Sequence, residues 1–507
     1  MSGWRKNTLG RLSGHWRPTL AVAFVAALTG CAVGPSFHRP AAPPVSDYTE
    51  PPLTITVTTT NIVGGEAQHF TKAGDLAGDW WTLFHSAPLN ELIELALTNN
   101  PDLQGAQAAL KVARENVLAQ RGVYYPTVAA SFSASRAKAS ELLAPVPNYP
   151  TTPQEFQYNL FTPQVSVSYS PDIFGLNRRT MESVKAQEQN VRFQMIAAYT
   201  TLTANVVVTA IQSAAVQAQI DATRQLVDLN SNMVEILRYQ YTKGYAGRLD
   251  VVAQESQLAQ VNATLPPLLK QSAQLRDLLA VLAGGFPNQA PLEKFELSDL
   301  RLPVEIPVSL PSQLVAQRPD VLQAEANLHA ATAQIGVAMA NRLPDLTLTA
   351  DAGSTALSFD KLFSSGTGFW GLGAAAMAPL FQGGQLLHQE RAAKAACVAA
   401  AEQYRSTVLT AFQNVADTLT ALAQDAEGLQ AAATAADDAR ETLALSQRQW
   451  QDGYISYLAL LSAEQAWQQA RINLVQAQAG RYADTAALFQ ALGGGWWHQA
   501  DLISEKK

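Results

Sequence analysis

The residue types that do covalent or coordination chemistry are sparse in this chain. Its 507 residues include two cysteines, Cys31 and Cys397, and seven histidines, His15, His38, His69, His85, His329, His388 and His498. Two cysteines make neither a disulfide framework nor a zinc cluster, and no HExxH or other paired metal spacing occurs. Gly366-Thr367-Gly368-Phe369-Trp370-Gly371 spells GxGxxG. A dinucleotide site needs a strand before those glycines and a helix after them, and here they open a strand. Cys397 lies in an alanine-rich helical stretch, which predicts a small buried hydrophobe. No constellation supports an enzyme. Cys31 alone sits where a thiol has work to do.

Residues 1–18 carry Arg5, Lys6, Arg11 and Arg17 and no acid, and an apolar stretch follows from Thr19 to Leu28. A basic segment before about ten apolar residues reads as a secretory signal, too short to span as a helix. Leu28-Thr29-Gly30-Cys31 then resembles the bacterial lipobox. Residues 1–30 are expected to be a lipoprotein signal peptide, leaving Cys31 as the acceptor of a thioether-linked diacylglycerol and an N-acyl chain. No other cofactor is expected. Two lipid signals anchor firmly where one acyl chain binds only marginally. Ala32, rather than Asp, points the product to the outer membrane. Removing four cations and no acid takes the net charge from -7 to -11. With 15% charged residues and no Lys/Arg stripe, nucleic-acid binding is not expected. No mature segment offers 18 consecutive apolar residues, so no helical span is expected after the N-terminus.

The elements that follow are written twice. Asn100-Pro101-Asp102-Leu103 recurs as Arg318-Pro319-Asp320-Val321, and Tyr125-Pro126 as Leu343-Pro344, both at an offset of 218. Lys243-Gly244-Tyr245 recurs as Asp452-Gly453-Tyr454, and Ala283-Gly284-Gly285 as Leu492-Gly493-Gly494, both at 209. A loop with Pro145, Pro147, Pro150 and Pro153, at 138–160, is longer than its counterpart at 355–368 and accounts for the slip. The expected organisation is a lipid-anchored tether at 31–85, a first repeat at 86–290, a linker at 291–311, a second repeat at 312–495 and a tail at 496–507. Proline and threonine make residues 32–85 an extended tether laid over the body.

Each repeat opens with a helix, about 89–121 and 312–341, that stops before Pro126 or Pro344 because the residue before proline avoids helical dihedrals. Short alternating strands come next, in 128–136, 165–169, 346–351 and 369–377. Period two gives one apolar and one polar face, and nine to eleven residues is the length of a tilted strand crossing a bilayer. An ordinary soluble hairpin fits the strands alone; the lipoprotein signal and the neighbouring helices favour the membrane. Residues 176–243 hold no Gly or Pro, and 385–452 no Pro and only Gly428. At 1.5 Å per residue each rod is about 100 Å long. Return helices follow, with Leu258, Val261, Leu265, Leu268, Ser272, Leu275, Leu279 and Leu282 in one and Ile472, Val475, Ala479, Tyr482, Ala486 and Phe489 in the other, stepping by three and four as in a coiled-coil seam. Pro266-Pro267 should disturb the first of them. Four strands leave open edges that lipid does not tolerate, so the sheet must close with copies of itself. Two copies give a filled barrel; three give the first usable pore.

The chain resembles the outer-membrane factors of tripartite efflux pumps, the TolC/OprM-like group and its NodT-type lipoproteins. Cys31 through Pro35 with Arg39-Pro40, Tyr169 through Gly175 with Arg178-Arg179, Tyr241 through Gly244 to Leu249-Asp250-Val251, Ser456-Tyr457-Leu458, and Leu492 through Trp496 carry the likeness. It implies a mainly α fold with a β-barrel portion, a homotrimer with a 12-stranded barrel in the outer membrane continued by a periplasmic α-helical barrel. It also implies an inner-membrane RND-type transporter and a periplasmic adaptor (membrane fusion protein) as partners. The resemblance places a periplasmic gate at the turns beside Gly244 and Gly453. Tyr241, Arg248 and Asp250 match tip positions in the first repeat, and Trp450, Leu458 and Ser462 in the second. Asp250 is placed either to form an acidic ring or to pair with Arg248 or with a basic group across an interface. Leu458 matches a hydrophobic ring. Ser462 stands where the family often has Asp, so an acidic constriction there should be weaker, and Glu464 faces elsewhere by helical spacing. Tyr241, Trp450 and Leu458 equally suit a hairpin core. The alternatives to an efflux conduit are a lipid-anchored periplasmic coiled-coil scaffold, or an export channel for proteins or metal ions.

Overall fold

The computed structural model describes residues 32–139, 156–288, 295–499 and 502. Cys31, the signal segment and the proline-rich loop residues 140–155 lie outside these. Two helices replace each expected opening helix. Helix α1 (Ala87–Asn99) is followed by α2 (Pro101–Arg121). The short α5 (Pro311–Gln317) and α6 (Pro319–Ala340) occupy the same positions in the second repeat. The break falls at Asn100, with ψ 121, and at Arg318, with ψ 124. Both residues precede a proline, whose ring excludes the helical ψ. The rods are α3 (Leu176–Thr242) and α7 (Gln385–Gln451), 67 residues each. The return helices are α4 (Arg248–Leu282) and α8 (Tyr457–Ala491), 35 residues each. Pro266 and Pro267 do not break α4. Both are exposed, so the carbonyls deprived of a donor open onto solvent, and Thr264 Oγ1 donates to Val261 O at 2.7 Å. One stretch of α3 is long and apolar enough to cross a membrane by composition, but 67% of it is buried in helix packing.

One compact unit is built from Arg114–Glu188, Asn327–Ala401 and the described N-terminal residues up to His38. Its sheet is antiparallel in the order β2 (Thr127–Ala139), β3 (Phe156–Tyr169), β5 (Asp345–Ser354), β6 (Gly368–Met377). Register sorts the faces. Val128 opposes Val167, Val165 opposes Ala352, and Ala350 and Ala352 oppose Leu372 and Trp370. Phe132, Leu348 and Tyr169 share that side, and Val128, Phe132, Trp370 and Leu372 are exposed. The other side carries Thr127, Ser131, Ser133, Ser166, Ser168, Thr347 and Thr349, with Gly371 and Gly373 on β6. The edges β2 and β6 have no further strand among the described residues. The GxGxxG glycines run into β6, not into a helix.

The segment after Cys31 is locked into this unit. Val33 N donates to Phe174 O at 3.1 Å. The buried Arg179 donates from Nε to Val33 O at 3.0 Å and from Nη2 to Gly34 O at 3.1 Å, and its Nη1 pairs with Glu182 at 2.7 Å. Glu182 also bonds His329 Nε2 at 2.9 Å, and Phe37 stacks on that imidazole at 4.3 Å. Asp172 caps α3 through the amides of Asn177 and Arg178. Cys397 is only partly buried, its thiol 3.6 Å from Thr332 Oγ1, not the fully buried hydrophobe expected.

The second unit comprises Arg39–Ala113, Gln189–Ala326 and, from Glu402, the described residues to Leu502. Part of the expected tether is built into it. Strand β1 (His69–Lys72) pairs in parallel with β4 (Glu305–Val308). A 3-10 turn at Trp80–Phe84 buries Trp80 and Phe84 against Tyr482 and Phe489 of α8. Aromatic burial overrides the extended reading that proline and threonine suggested. Arg481, fully buried on α8, donates to Gly64 O, Glu66 O and Thr56 Oγ1 at 2.6–2.9 Å. Trp496 Nε1 donates to Gln317 O at 2.6 Å, and Trp497 Nε1 to Asp75 at 2.9 Å. These contacts give the terminal tryptophans a structural role. The duplication extends to side chains: Asn100 Nδ2 donates to Leu282 O at 3.0 Å, and Arg318 Nη1 to Ala491 O at 2.9 Å.

Gly34 has φ +94, and a Cβ there would lie 2.5 Å from Gly336 Cα. Gly34→Ala therefore combines left-handed strain of about 1–2 kcal/mol with overpacking of about 1–3 kcal/mol. Residues 32–38 should become protease-accessible in this variant while the strands stay protected, as limited proteolysis with mass mapping would show.

Candidate functional site

The two hairpin tips share one design. Helix α3 ends at Thr242 and α4 starts at Arg248; α7 ends at Gln451 and α8 starts at Tyr457. Gly244 N donates to Tyr241 O at 3.0 Å and Tyr245 N to Gln240 O at 2.9 Å. Gly453 N donates to Trp450 O at 3.0 Å and Tyr454 N to Gln449 O at 2.8 Å. This doubled closure satisfies two carbonyls in the last turn of each rod and needs a left-handed residue. Gly244 has φ +80 and Gly453 φ +76, and a Cβ at either would meet nothing. Dihedral freedom, not close contact, selects glycine here.

Among the described residues Asp250 makes no ion pair with Arg248. Its Oδ2 accepts the Gly247 amide at 3.0 Å, which caps α4, and Arg248 is exposed. Trp450 is half-buried, edge-on to Tyr457 at 6.1 Å, and belongs to the hairpin core. Tyr241 and Leu458 are exposed, Leu458 by 52%. Ser462 is exposed and returns its hydroxyl to Leu458 O at 3.0 Å, so it offers no charge. Tyr245 and Tyr454, absent from the expected set, project furthest at 84% and 81% exposure.

Behind the tips the two hairpins form one core. Met233 and Leu237 of α3, Val251 of α4, Leu443 of α7 and Tyr457, Leu460 and Ala463 of α8 pack together, flanked by Trp450 and Trp467. Polar cross-links tie the helices. Gln254 Nε2 reaches Asn230 Oδ1 at 2.9 Å, Gln465 Nε2 reaches Gln257 Oε1 at 2.8 Å, and Arg238 pairs with Glu255 at 2.8 Å. Burial raises the Tyr457 phenol, with the negative charges of Glu464 and Asp250 adding to it. The most unusual member is Glu464, which sequence reading placed only as facing away from the Ser462 constriction. It is 2% exposed, and neither carboxylate oxygen has a hydrogen-bond partner. Burial raises it to about 7. The available signal was the step through Tyr457, Leu460, Glu464, Trp467 and Arg471, which puts a carboxylate on a seam.

The outer membrane efflux protein family matches this chain over residues 92–285 and 310–494, one segment for each repeat. The chain is 30% identical over 497 residues to the toluene efflux pump outer membrane protein TtgF of Pseudomonas putida, covering 94% of this chain and 96% of that protein. It is 30% identical over 424 residues to the pyoverdine export outer membrane protein OpmQ of the same species, covering 83% and 88%. Among solved structures, the outer-membrane channel OprN matches with a TM-score of 0.81 at 25% identity, covering 92% of this chain and 100% of that one. The outer membrane protein VceC of Vibrio cholerae matches at 0.76 and 27%, covering 83% and 99%.

A duplicated unit of two strands and a long helical hairpin thus defines an outer-membrane channel fold. The chain belongs to the outer membrane efflux protein family, resides in the outer membrane with a periplasmic helical extension, and serves efflux.

Gly453→Val should cost about 1–2 kcal/mol, because a β-branched residue resists φ +76. Asp250→Ala should cost about 1 kcal/mol through the lost cap, and Asp250→Asn less. Thermal unfolding of the detergent-purified protein, with protease cleavage mapped to 243–247 and 452–456, reads both.

Proposed function

We propose that three copies of this chain close one barrel and one helical tunnel, conducting substrates outward from a tripartite pump. The observation that carries this reading is the four-stranded sheet with an apolar face, a Ser/Thr/Gly face and two edges unpaired among the described residues. Edges of this kind have no stable place in lipid unless another copy pairs them. Twelve strands from three copies leave a lumen, and the polar face lines it. The apolar face meets acyl chains. The homotrimer carries its lipid on Cys31 as thioether-linked diacylglycerol and an N-acyl group, and Arg179 fastens the segment that follows to the base of α3.

The exposed tips, with Tyr245, Tyr454, Leu249 and Leu458, are the surface offered to a periplasmic adaptor. An RND-type transporter in the inner membrane completes the pump and selects the substrate. The chain performs no chemistry of its own. Tyr241, Arg248, Asp250, Leu458 and Ser462 act as tip positions, closing the tunnel until the adaptor docks; Gly244 and Gly453 shape the turns, and Trp450 supports them from the core.

Detergent-purified protein should have three times the protomer mass by light scattering and should conduct in planar bilayers. A stable monomer, or a trimer without conductance, would remove the conduit. Leu372→Lys on the lipid face should cost about 2–4 kcal/mol of membrane stability and reduce folded trimer in outer-membrane fractions. Asp250→Asn keeps an acceptor for Gly247 but loses the charge. It should lower cation preference in bilayer recordings, and unchanged selectivity would take Asp250 out of the gate.

A further inference from the structure

We propose that Glu464 is a proton-operated latch of the hairpin tips, holding them shut when neutral and loosening the α8 seam when ionised. The inference rests on the reading of the tips as the gate. Its foundation is positional. Glu464 lies on the buried stripe of α8, between Leu460 and Trp467, two turns from the tip residue Tyr457. It is 2% exposed and both oxygens lack a partner, although a buried carboxylate ordinarily finds a donor.

The charges around it offer no relief. On α3, Glu235 is exposed and the exposed Arg238 is taken by Glu255. On α4, Asp250 caps the helix at Gly247 and Glu255 is paired with Arg238. On α7, Arg440, Glu441 and Arg448 are exposed. On α8 itself, Arg471 donates to Gln225 at 2.7 Å and lies over Trp467, and Tyr457 carries a buried hydroxyl without a partner. No cation enters the balance that sets Glu464, and burial alone raises its pKa from 4.5 to about 7.

The closed seam therefore binds a proton that an opened, wetted seam releases. Below pH 4.5 both states are protonated and closure is unopposed. Between 4.5 and about 7 opening releases a proton, so each subunit's opening constant rises up to about tenfold per pH unit. Above about 7 both states are ionised and the dependence levels off. An acidified periplasm would hold idle channels shut.

The test follows hydrogen exchange in the peptide spanning 457–470, in detergent-purified full-length protein from pH 5 to 8, corrected for intrinsic rates. Bilayer conductance is recorded alongside. Protection should fall and open probability rise as pH climbs from 5 to 7, with a plateau above. Glu464→Gln, which mimics the neutral acid, and Glu464→Leu should abolish this window in both readouts. The same pH response in either variant, or none in the unmodified protein, would overturn the latch. Absent conductance at every pH would count against the conduit alone, because exchange still decides the latch.

Discussion

Backbone amides and carbonyls at the edge of a sheet have no water to bond inside a bilayer. That constraint organises the molecule. Among the described residues strands β2 and β6 end the sheet without a neighbour, while the register holds one continuous apolar face from Val128 to Trp370. A single chain leaves this arrangement unfinished, and completion by copies, as proposed above, would turn a four-stranded sheet into a wall with a wet interior. The rods obey a milder version of the same rule. Their backbone groups are satisfied internally, so they extend for 67 residues without a sheet to support them. Their ends, where carbonyls run out of donors, close on glycine.

Much of this was legible in the residues. Gly244 and Gly453 announced the turns, and period-two alternation announced the strands. Absence of glycine and proline fixed the rods to within a residue: 176–243 was expected and Leu176–Thr242 is found. Two motifs that carry the family likeness meet in space, Val33 bonding Phe174 and Arg179 bonding Val33 and Gly34. Local patterns could not show what depends on distant partners. Asn100-Pro101 reads as part of one helix until the pre-proline dihedral is considered. Trp80 and Phe84 look like tether residues until Phe489 arrives beside them from 400 positions away. Pro266-Pro267 were expected to disturb α4; the helix runs on through them, with the carbonyls they deprive of donors left to water.

The tips show the same division. Residue identity gave candidate places, and the contacts made at each depended on orientation. Asp250 spends its carboxylate on a backbone amide, Ser462 turns back onto its own helix, and Trp450 faces inward. A partner at the mouth meets the exposed side chains of Tyr245, Leu249 and Tyr454 together with the exposed charges of Lys243, Arg248 and Asp452. The titratable group of greatest interest lies behind the mouth, on the seam, where a residue-type scan for exposed acids does not look.

The duplication is not a perfect copy, and one mismatch has mechanical meaning. Asn100 and Arg318 occupy the same place and each grips the last turn of its own return helix. Asn100 does so with a neutral amide. Arg318 does so with a cation that Asp320 braces at 2.7 and 3.0 Å, and charge-assisted bonds are roughly twice as strong as neutral ones. A threefold ring of such chains would alternate soft and stiff pivots around its circumference, six in all, so that a twisting load would be taken up first at every second hairpin and the iris would deform with threefold rather than sixfold symmetry.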